Sequence, residues 1–302
     1  MGAGHRSHAS AILGRCRIPL PLVVPRPAEA PVNEPTPPPE HVLAAFGVAG
    51  IPGERLAGAV GQVWRHGDVV LKAVTDPVAA AWSAGVFESL RVSGIRVARP
   101  VRSLDGRWVV GRWCAQRFVS GRPSARYADT VRVSVQLHES LRGVARPRLL
   151  AERSDLIGWA DRLAWGEARS DEPGLEAGAG ADLWSQIASA RKPVRLPDQL
   201  IHCDLFGNVL FAGSAPPAVI DFNPLFRPAE FAAAVVVVDA VAWGGAPREF
   251  AAEWSDFPDW EALLRRAVLF RLALGLGHPR STPESTTRIM TAARSLVAGA
   301  VP

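Results

Sequence analysis

The spacing of hydrophobic positions changes along the chain, and the first stretch has no regular pattern at all. Residues 1 to 39 are rich in Pro, Ala and Arg and end in Thr36-Pro37-Pro38-Pro39. Such a composition buries too little apolar area to offset the entropy of ordering the chain, so we predict a disordered tail. A short helix from Glu40 to Phe46, ended by Gly47, is expected next.

Apolar and polar residues then alternate with period two between Arg55 and Val74. This alternation predicts three short strands in an antiparallel meander. The first turn contains Gly58 and Gly61, and the second is His66-Gly67-Asp68.

A helix is expected after the meander, with Asp76 as its N-cap, Pro77 in its first position and Gly94 at its end. Two further strands are expected to complete the sheet, around Val97 to Val101 and Trp108 to Phe118.

The hydrophobic spacing becomes helical after Pro123 and stays so for most of the remaining chain. The predicted helices are Tyr127 to Arg142, Asp155 to Glu167, Asp182 to Ala190, Ala229 to Trp243, Trp260 to Leu274 and Thr286 to Val297. The exception is Gln199 to Asp221, where we predict a strand, a loop and a hairpin. The pattern therefore predicts an α+β chain with a small sheet-rich lobe over residues 40 to 119 and a mainly helical lobe over residues 120 to 302.

Composition excludes several classes of protein. The formal charge is +5, yet the arginines are scattered and form no basic helix or aromatic strip, which argues against a nucleic-acid partner. No run approaches the roughly 20 apolar residues of a membrane span.

Cys16, Cys114 and Cys203 are far apart, so neither a disulfide framework nor a zinc site is indicated and a reducing cytoplasm fits. The oligomeric state is not indicated.

The stretch LIHCDLFGNVLFAGSAPPAVIDFN carries the strongest chemical signal. If a hairpin is centred on its Gly-Ser-Ala-Pro-Pro turn, Asn208 and Asp221 lie opposite each other with Cβ atoms about 5 Å apart. An amide oxygen and a carboxylate at that separation suit Mg²⁺. Asp204, on the loop before the hairpin, is then a candidate base for a substrate hydroxyl. A surface hairpin with polar ends is the alternative.

Lys72 lies in an apolar strand of a chain that has two lysines and 32 arginines. A compact ammonium can reach nucleotide phosphates while it pairs with a carboxylate, whereas a guanidinium has another shape. Glu88, on the small-residue face of the following helix, is the expected partner. The alternatives are an edge-strand lysine that points to water and a solvated glutamate.

The remaining polar signals near these residues are weaker. Gly58 and Gly61 would let backbone N–H groups approach phosphates, although two glycines at a hairpin are ordinary. Neither lysine follows a glycine loop as a P-loop requires. We assign His202 a structural role that holds the loop through its ring nitrogens, and we expect His138 to be a satisfied core or interfacial histidine.

In this order, the glycine turn, Lys72, Glu88, the HCDLFGN loop and VIDFN resemble the aminoglycoside phosphotransferase and choline kinase-like branch of the protein-kinase-like fold. The loop is especially similar to the H-x-D-L-x-G-N-V-L-F loop of actinobacterial members. The resemblance implies that Asp204 is the catalytic aspartate and that Asn208 and Asp221 bind magnesium. It also implies that Lys72 contacts the phosphates of ATP and that Glu88 orients Lys72.

The resemblance further implies an enzyme that transfers phosphate from ATP to a hydroxyl of a small molecule. The adenine would lie against Arg117-Phe118-Val119. The acceptor would sit among the helices after residue 123, where Asp256, Asp259 and Glu261 either bind a cationic acceptor or form a solvated helix start.

Two features depart from the family pattern. Asp204 and Asn208 are separated by three residues where the broader family has four. Asn223 also stands where protein-phosphorylating members have glycine. Because small displacements of catalytic groups are costly, the short loop also suits a nucleotide-binding pseudokinase that regulates or binds other proteins.

Overall fold

The computed structural model describes residues 36–56 and 62–297. Most of the predicted tail, together with Gly58 and Gly61 of the glycine turn, lies outside the described residues.

The strands of the described residues are β1 (Gly53–Arg55), β2 (Val63–His66), β3 (Val69–Ala73), β4 (Arg96–Val97), β5 (Pro100–Val101), β6 (Val109–Val110), β7 (Trp113–Arg117), β8 (Gln199–His202), β9 (Val209–Ala212), β10 (Ala215–Val219) and β11 (Pro224–Arg227). The helices are α1 (Glu40–Ala45), α2 (Pro77–Ser89), α3 (Tyr127–Leu141), α4 (Arg148–Ala151), α5 (Leu156–Trp165), α6 (Ala179–Ser189), α7 (Ala229–Ala242), α8 (Trp260–Gly277) and α9 (Pro283–Val297). A 3₁₀ helix covers Arg248–Trp254.

The first part of the chain forms an antiparallel sheet in the order β1-β2-β3-β7-β5, with β6 paired to β7. Apolar side chains on one face of β3 and β7 pack with α1, as the alternation of buried positions requires. Leu71 of β3 and Trp113 of β7 join Val42 and Phe46 in this small core. The predicted three-stranded meander is present as β1, β2 and β3. The strand predicted around Trp108 to Phe118 is divided into β6 and β7, because Gly111, at φ 59°, turns the chain between them.

The second part is mainly helical and has its own, larger core. In α7, 11 of the 14 residues are buried, because this helix is apolar on every side. It packs against α3 and α8, and α8 also contacts α5, α6 and α9. Within the two described ranges, no helix combines the length and the apolar character that crossing a membrane requires.

The predicted strand Val97 to Val101 is divided between two sheets. Its first part, β4, pairs in parallel with β10, and β9 completes that three-stranded sheet. Its second part, β5, pairs with β7 in the first sheet. The chain therefore contributes to both sheets within six residues.

Helix α2 begins as predicted, with the Asp76 carboxylate accepting hydrogen bonds from the N–H groups of Val78 and Ala79 at 3.0 and 2.9 Å. It ends at Ser89 and not at Gly94. Leu90 is extended, and Arg99 donates to the carbonyl oxygens of Phe87 and Leu90 at 2.8 and 2.6 Å. The Arg99 guanidinium, from a later part of the chain, thus satisfies carbonyl groups at the end of α2. A local sequence pattern does not reveal such a partner.

Candidate active site

Lys72 lies in the middle of the first sheet, where β3 pairs with both β2 and β7. Its side chain is 16% exposed, and its ammonium is in contact with the carboxylate of Asp221. Burial lowers the pKa of Lys72 to about 8, and the electrostatic interaction with Cys114 acts against that shift. Lys72 is thus an interior lysine that faces an acid from the second part of the chain, and not an edge lysine in water.

The predicted ion pair between Lys72 and Glu88 is wrong. The Glu88 carboxylate is 51% exposed and pairs with Arg102, with 3.0 Å between Oε2 and Nη2. Glu88 is the only acidic residue of α2, so that helix supplies no carboxylate to Lys72. The small residues on one face of α2 were expected to let Glu88 approach Lys72. The Glu88 carboxylate binds Arg102 instead.

Asp221 lies two residues after β10 and has a left-handed backbone, with φ 52°. The predicted hairpin register is wrong by one residue: Val219 pairs with Val209, so Ile220 lies opposite Asn208. The N–H of Ile220 donates to the carbonyl of Asn208 at 3.0 Å. Pro216 and Pro217 have no N–H, and the ladder is irregular where they lie, which shifts the later pairs. Asp221 therefore leaves the ladder and turns toward Lys72.

Asp204 lies two residues after β8, and β8 is held by β11. Its side chain is only 7% exposed. Oδ2 has two long amide contacts of 3.4 Å, from Nδ2 of Asn208 and Nδ2 of Asn223. Oδ1 accepts a 2.8 Å hydrogen bond from Nη2 of Arg271 in α8. The structure thus brings the predicted catalytic aspartate and Asn208 together.

The short loop between Asp204 and Asn208 is closed by its own polar groups. Gly207 has φ 81°, a conformation that glycine adopts without strain. The N–H of Asn208 donates to Leu205 at 3.0 Å, and Nδ2 of Asn208 donates to the carbonyl of Asp204 at 2.7 Å. The Asn208 side chain therefore braces the loop with its nitrogen.

His202 has the structural role that the sequence suggested. Its Nδ1 accepts from the N–H of Asp204 at 3.2 Å, and Nε2 lies 3.1 Å from the carbonyl oxygen of Ile220. A backbone N–H can only donate, so the ring proton is on Nε2 and is donated to Ile220. The ring is fully buried, and burial lowers the pKa of His202 to about 4. It is a neutral link between the loop and β10.

Arg271 and Asp239 belong to the same cluster, although sequence reasoning missed both. Arg271 donates from Nε to Oδ1 of Asp239 at 2.7 Å and from Nη2 to Oδ2 at 2.5 Å. Burial raises the pKa of Asp239 to about 7, against the attraction of the guanidinium. An acid inside apolar α7 and an arginine inside the apolar second half of α8, after Arg266, are the sequence signals that point to them.

The donor set fits a magnesium ion that also binds phosphates. The amide oxygen of Asn208 makes no hydrogen bond to any described residue, because the nitrogen makes the contacts. The Asp221 side chain is 37% exposed. Mg²⁺ prefers a few protein oxygens together with phosphate and water. In the described part of the chain, no three His, Cys, Asp or Glu side chains form a metal cluster.

Arg117 is the last residue of β7, and Phe118 and Val119 follow it. The N–H of Phe118 donates to the carbonyl of Asp68 at 2.7 Å, and Arg117 pairs with the Asp68 carboxylate. The guanidinium of Arg65 lies 3.7 Å from the centre of the Phe118 ring. Adenine binding at this segment stays a prediction.

The acidic residues suggested for a cationic acceptor lie elsewhere. Asp259 accepts from the N–H of Arg195 at 2.8 Å, and Glu261, with a side chain 83% exposed, lies 3.6 Å from Lys192. They flank the start of α8, about 16 Å along the helix axis from Arg271. The structure favours the reading of a solvated helix start.

Comparison with known proteins identifies the family. Residues 57–228 match the model of the phosphotransferase enzyme family, which is more than half of the chain. The chain belongs to this phosphotransferase family. The family predicted from the HCDLFGN and VIDFN motifs is therefore confirmed.

Curated relatives of this family member are named homoserine kinases. The protein of Methylobacterium radiotolerans is 32% identical over 151 residues, which are 46% of each chain. That of Rhodopseudomonas palustris is 36% identical over 143 residues, 43% of each chain. The alignment spans about half the length of the curated relatives that this chain matches.

Solved structures confirm the two-lobed kinase-like fold. Spectinomycin phosphotransferase in complex with ADP and spectinomycin has a TM-score of 0.54 at 12% identity, over 85% of this chain and 92% of that one. An aminoglycoside phosphotransferase with ADP and hygromycin B has a TM-score of 0.51 at 14% identity, over 85% and 98%. At such identities the likeness shows the fold alone.

Proposed function

We propose that the chain is an ATP- and magnesium-dependent phosphotransferase that acts on a hydroxyl group of a small molecule. The observation that carries the proposal is the contact between Lys72 and Asp221, which joins the first sheet to the loop that holds Asp204 and Asn208. Membership of the phosphotransferase family supports it. Its use of ATP would place the chain in the cytoplasm.

In the proposed reaction, Oδ2 of Asp204 accepts the proton of the substrate hydroxyl. The hydroxyl oxygen forms a bond to the γ-phosphorus of ATP while the bond to the β–γ bridging oxygen breaks, and ADP leaves with that electron pair. Lys72 donates to the phosphates, and Asn208 and Asp221 hold the cation. A bound magnesium ion supplies neutralisation of phosphate charge.

The nucleotide is proposed to lie against Arg117-Phe118-Val119, next to β3 and β7. The solved relatives were crystallised with ADP, which supports a nucleotide at the corresponding side of the sheet. The aromatic ring of Phe118 suits a planar base.

For the acceptor, we propose a small alcohol that also carries charged groups, with homoserine as the first candidate. The names of the curated relatives support this choice. Antibiotics with several hydroxyl groups are second candidates, because the solved relatives bind spectinomycin and hygromycin B.

The test is a screen of purified full-length protein with Mg·ATP and single acceptors: homoserine, choline, spectinomycin, hygromycin B, sugars and nucleosides. Mass spectrometry would show a gain of one phosphate on the acceptor, and ADP would form in equal amount. The rate of this gain should fall about 1,000-fold in Asp204→Asn. The affinity for ADP should change less than about threefold, because Asp204 meets the acceptor and not the nucleotide.

A nucleotide-binding pseudokinase is the second candidate. The ion pair between Arg271 and Asp204 favours it, because one oxygen of the candidate base is already engaged. Nucleotide binding without ADP formation or acceptor phosphorylation over the whole panel would support the pseudokinase. It would contradict the proposed phosphotransferase activity.

A further inference from the structure

Arg271 bridges two carboxylates in the interior of the helical part. It lies on α8 and is 5% exposed. Two of its hydrogen bonds go to Asp239 of α7, at 2.7 and 2.5 Å, and one goes to Oδ1 of Asp204, at 2.8 Å. The guanidinium thus connects α7, α8 and the loop that carries Asp204.

The double contact with Asp239 fixes the plane of the guanidinium. A bidentate pair between arginine and carboxylate restricts orientation as well as distance. With the plane fixed, the direction in which Nη2 points toward Asp204 is fixed too. α7 and α8 pack against each other and most of their residues are buried, so this direction is set by the core.

The other contacts of the Asp204 carboxylate are weak by comparison. Both amide contacts to Oδ2 measure 3.4 Å, near the outer limit of a hydrogen bond. The loop itself is one residue shorter than the family pattern, and its closure through Asn208 acts on the Asp204 backbone and not on its carboxylate. The contact with Arg271 is thus the strong hold on the carboxylate.

We propose that Arg271 is a positioning residue: oriented by Asp239, it holds Oδ1 of Asp204 so that Oδ2 faces the acceptor hydroxyl. This inference rests on the proposed phosphotransferase activity. Arg271 acts through Asp204 and touches neither the nucleotide nor the acceptor. It fixes the Asp204 carboxylate, which the closure of the loop through Asn208 does not hold.

The experiment compares Arg271→Gln, Arg271→Lys, Asp204→Asn and the double variant Arg271→Gln/Asp204→Asn, with homoserine and the other panel acceptors. We expect Arg271→Gln to lower kcat about 100-fold, as a misplacement near 1 Å does, with the KM for ATP changed less than about threefold. Arg271→Lys keeps the charge but not the bidentate geometry, so we expect a loss of about tenfold. In the Asp204→Asn background, Arg271→Gln should change the residual kcat by less than about threefold.

Arg227→Gln is the matched control. Arg227 is also a buried arginine that bridges two carboxylates, Asp161 and Glu167, but it has no contact with the loop. It should lower the melting temperature by a similar amount to Arg271→Gln while kcat stays within about twofold. If Arg271→Gln does not fold, Arg271→Gln/Asp239→Asn removes one charge of each sign and serves in its place.

The outcomes separate this inference from the proposed function. An active wild type in which Arg271→Gln keeps kcat within threefold, or in which the losses of Arg271→Gln and Asp204→Asn multiply, overturns the positioning role alone. A wild type with no turnover on any acceptor overturns the proposed function, and the positioning role with it. A folded Arg271→Gln with lost kcat, intact KM for ATP and no further loss in the double variant supports the inference.

Discussion

Nε2 of His138 in α3 accepts a 2.9 Å hydrogen bond from the backbone N–H of His202. Because that N–H can only donate, the ring proton of His138 is on Nδ1, which lies 3.1 Å from Oγ of Ser134. Both rings are fully buried. Two neutral histidines therefore connect helix α3 to the loop of Asp204.

The first prediction concerns acid stability. Burial lowers the pKa of His138 to about 3 and that of His202 to about 4, so the unfolded chain binds more protons than the folded chain below about pH 6.5. The free energy of unfolding should therefore fall as pH falls from 6.5, by roughly 1.5 kcal/mol per histidine at pH 5. Urea unfolding at several pH values measures this.

His138→Gln should flatten that pH dependence, since the side chain can still accept the bond from His202 but does not titrate. His41→Gln, at an exposed position of α1, is the control and should leave the slope as in wild type. An unchanged slope in His138→Gln would contradict the assignment of a neutral ring.

The second prediction uses the two lysines of the chain. Lys72→Met should lower kcat/KM for ATP about 100-fold, because an ammonium in contact with the phosphates is lost. Lys192→Met is a matched control: its side chain is 69% exposed and lies 3.6 Å from Glu261. Steady-state kinetics should show wild-type values for it. Equal losses in both variants would show that Lys72 has no special role.

The third prediction follows from the corrected position of Glu88. Its pair with Arg102 is about half exposed on both sides, so Glu88→Gln should cost less than about 1 kcal/mol of stability. The affinity for ADP, measured by calorimetry, should stay within about twofold. A large loss of affinity would mean that Glu88 reaches Lys72 when nucleotide is bound.

The fourth prediction concerns magnesium. Asn208→Ala removes the amide oxygen, so the magnesium concentration for half-maximal activity should rise about tenfold. Binding of ADP in the presence of EDTA should not change. A magnesium requirement equal to that of the wild type would exclude Asn208 as a ligand of the ion.

Much of the candidate site could be predicted because its signals are local. Asp204, Asn208 and Asp221 lie within one short stretch, and a lysine in a chain of arginines marks Lys72. The structure joins Lys72 to Asp221 and Asp204 to Asn208, and the family and the fold were predicted correctly. The roles of these residues stay predictions.

The rest depended on contacts between distant parts of the chain. The contact of Arg271 with Asp204 spans 67 residues, and no local period indicates it. The hairpin register required knowledge of the irregularity at Pro216 and Pro217. The end of α2 depended on Arg99, which binds the carbonyl of Leu90 from a later part of the chain. The partner of Glu88 depended on Arg102 in the same way.

The division of residues 96–101 between two sheets makes the connection between those sheets very short. The N–H of Ala98 bonds to Val219 at 3.1 Å in one sheet, and the carbonyl of Arg99 accepts from Arg117 at 2.7 Å in the other. The crossing is thus a single peptide linkage, between Ala98 and Arg99. A rotation of one sheet relative to the other would therefore act on this linkage and on the return segment after β7.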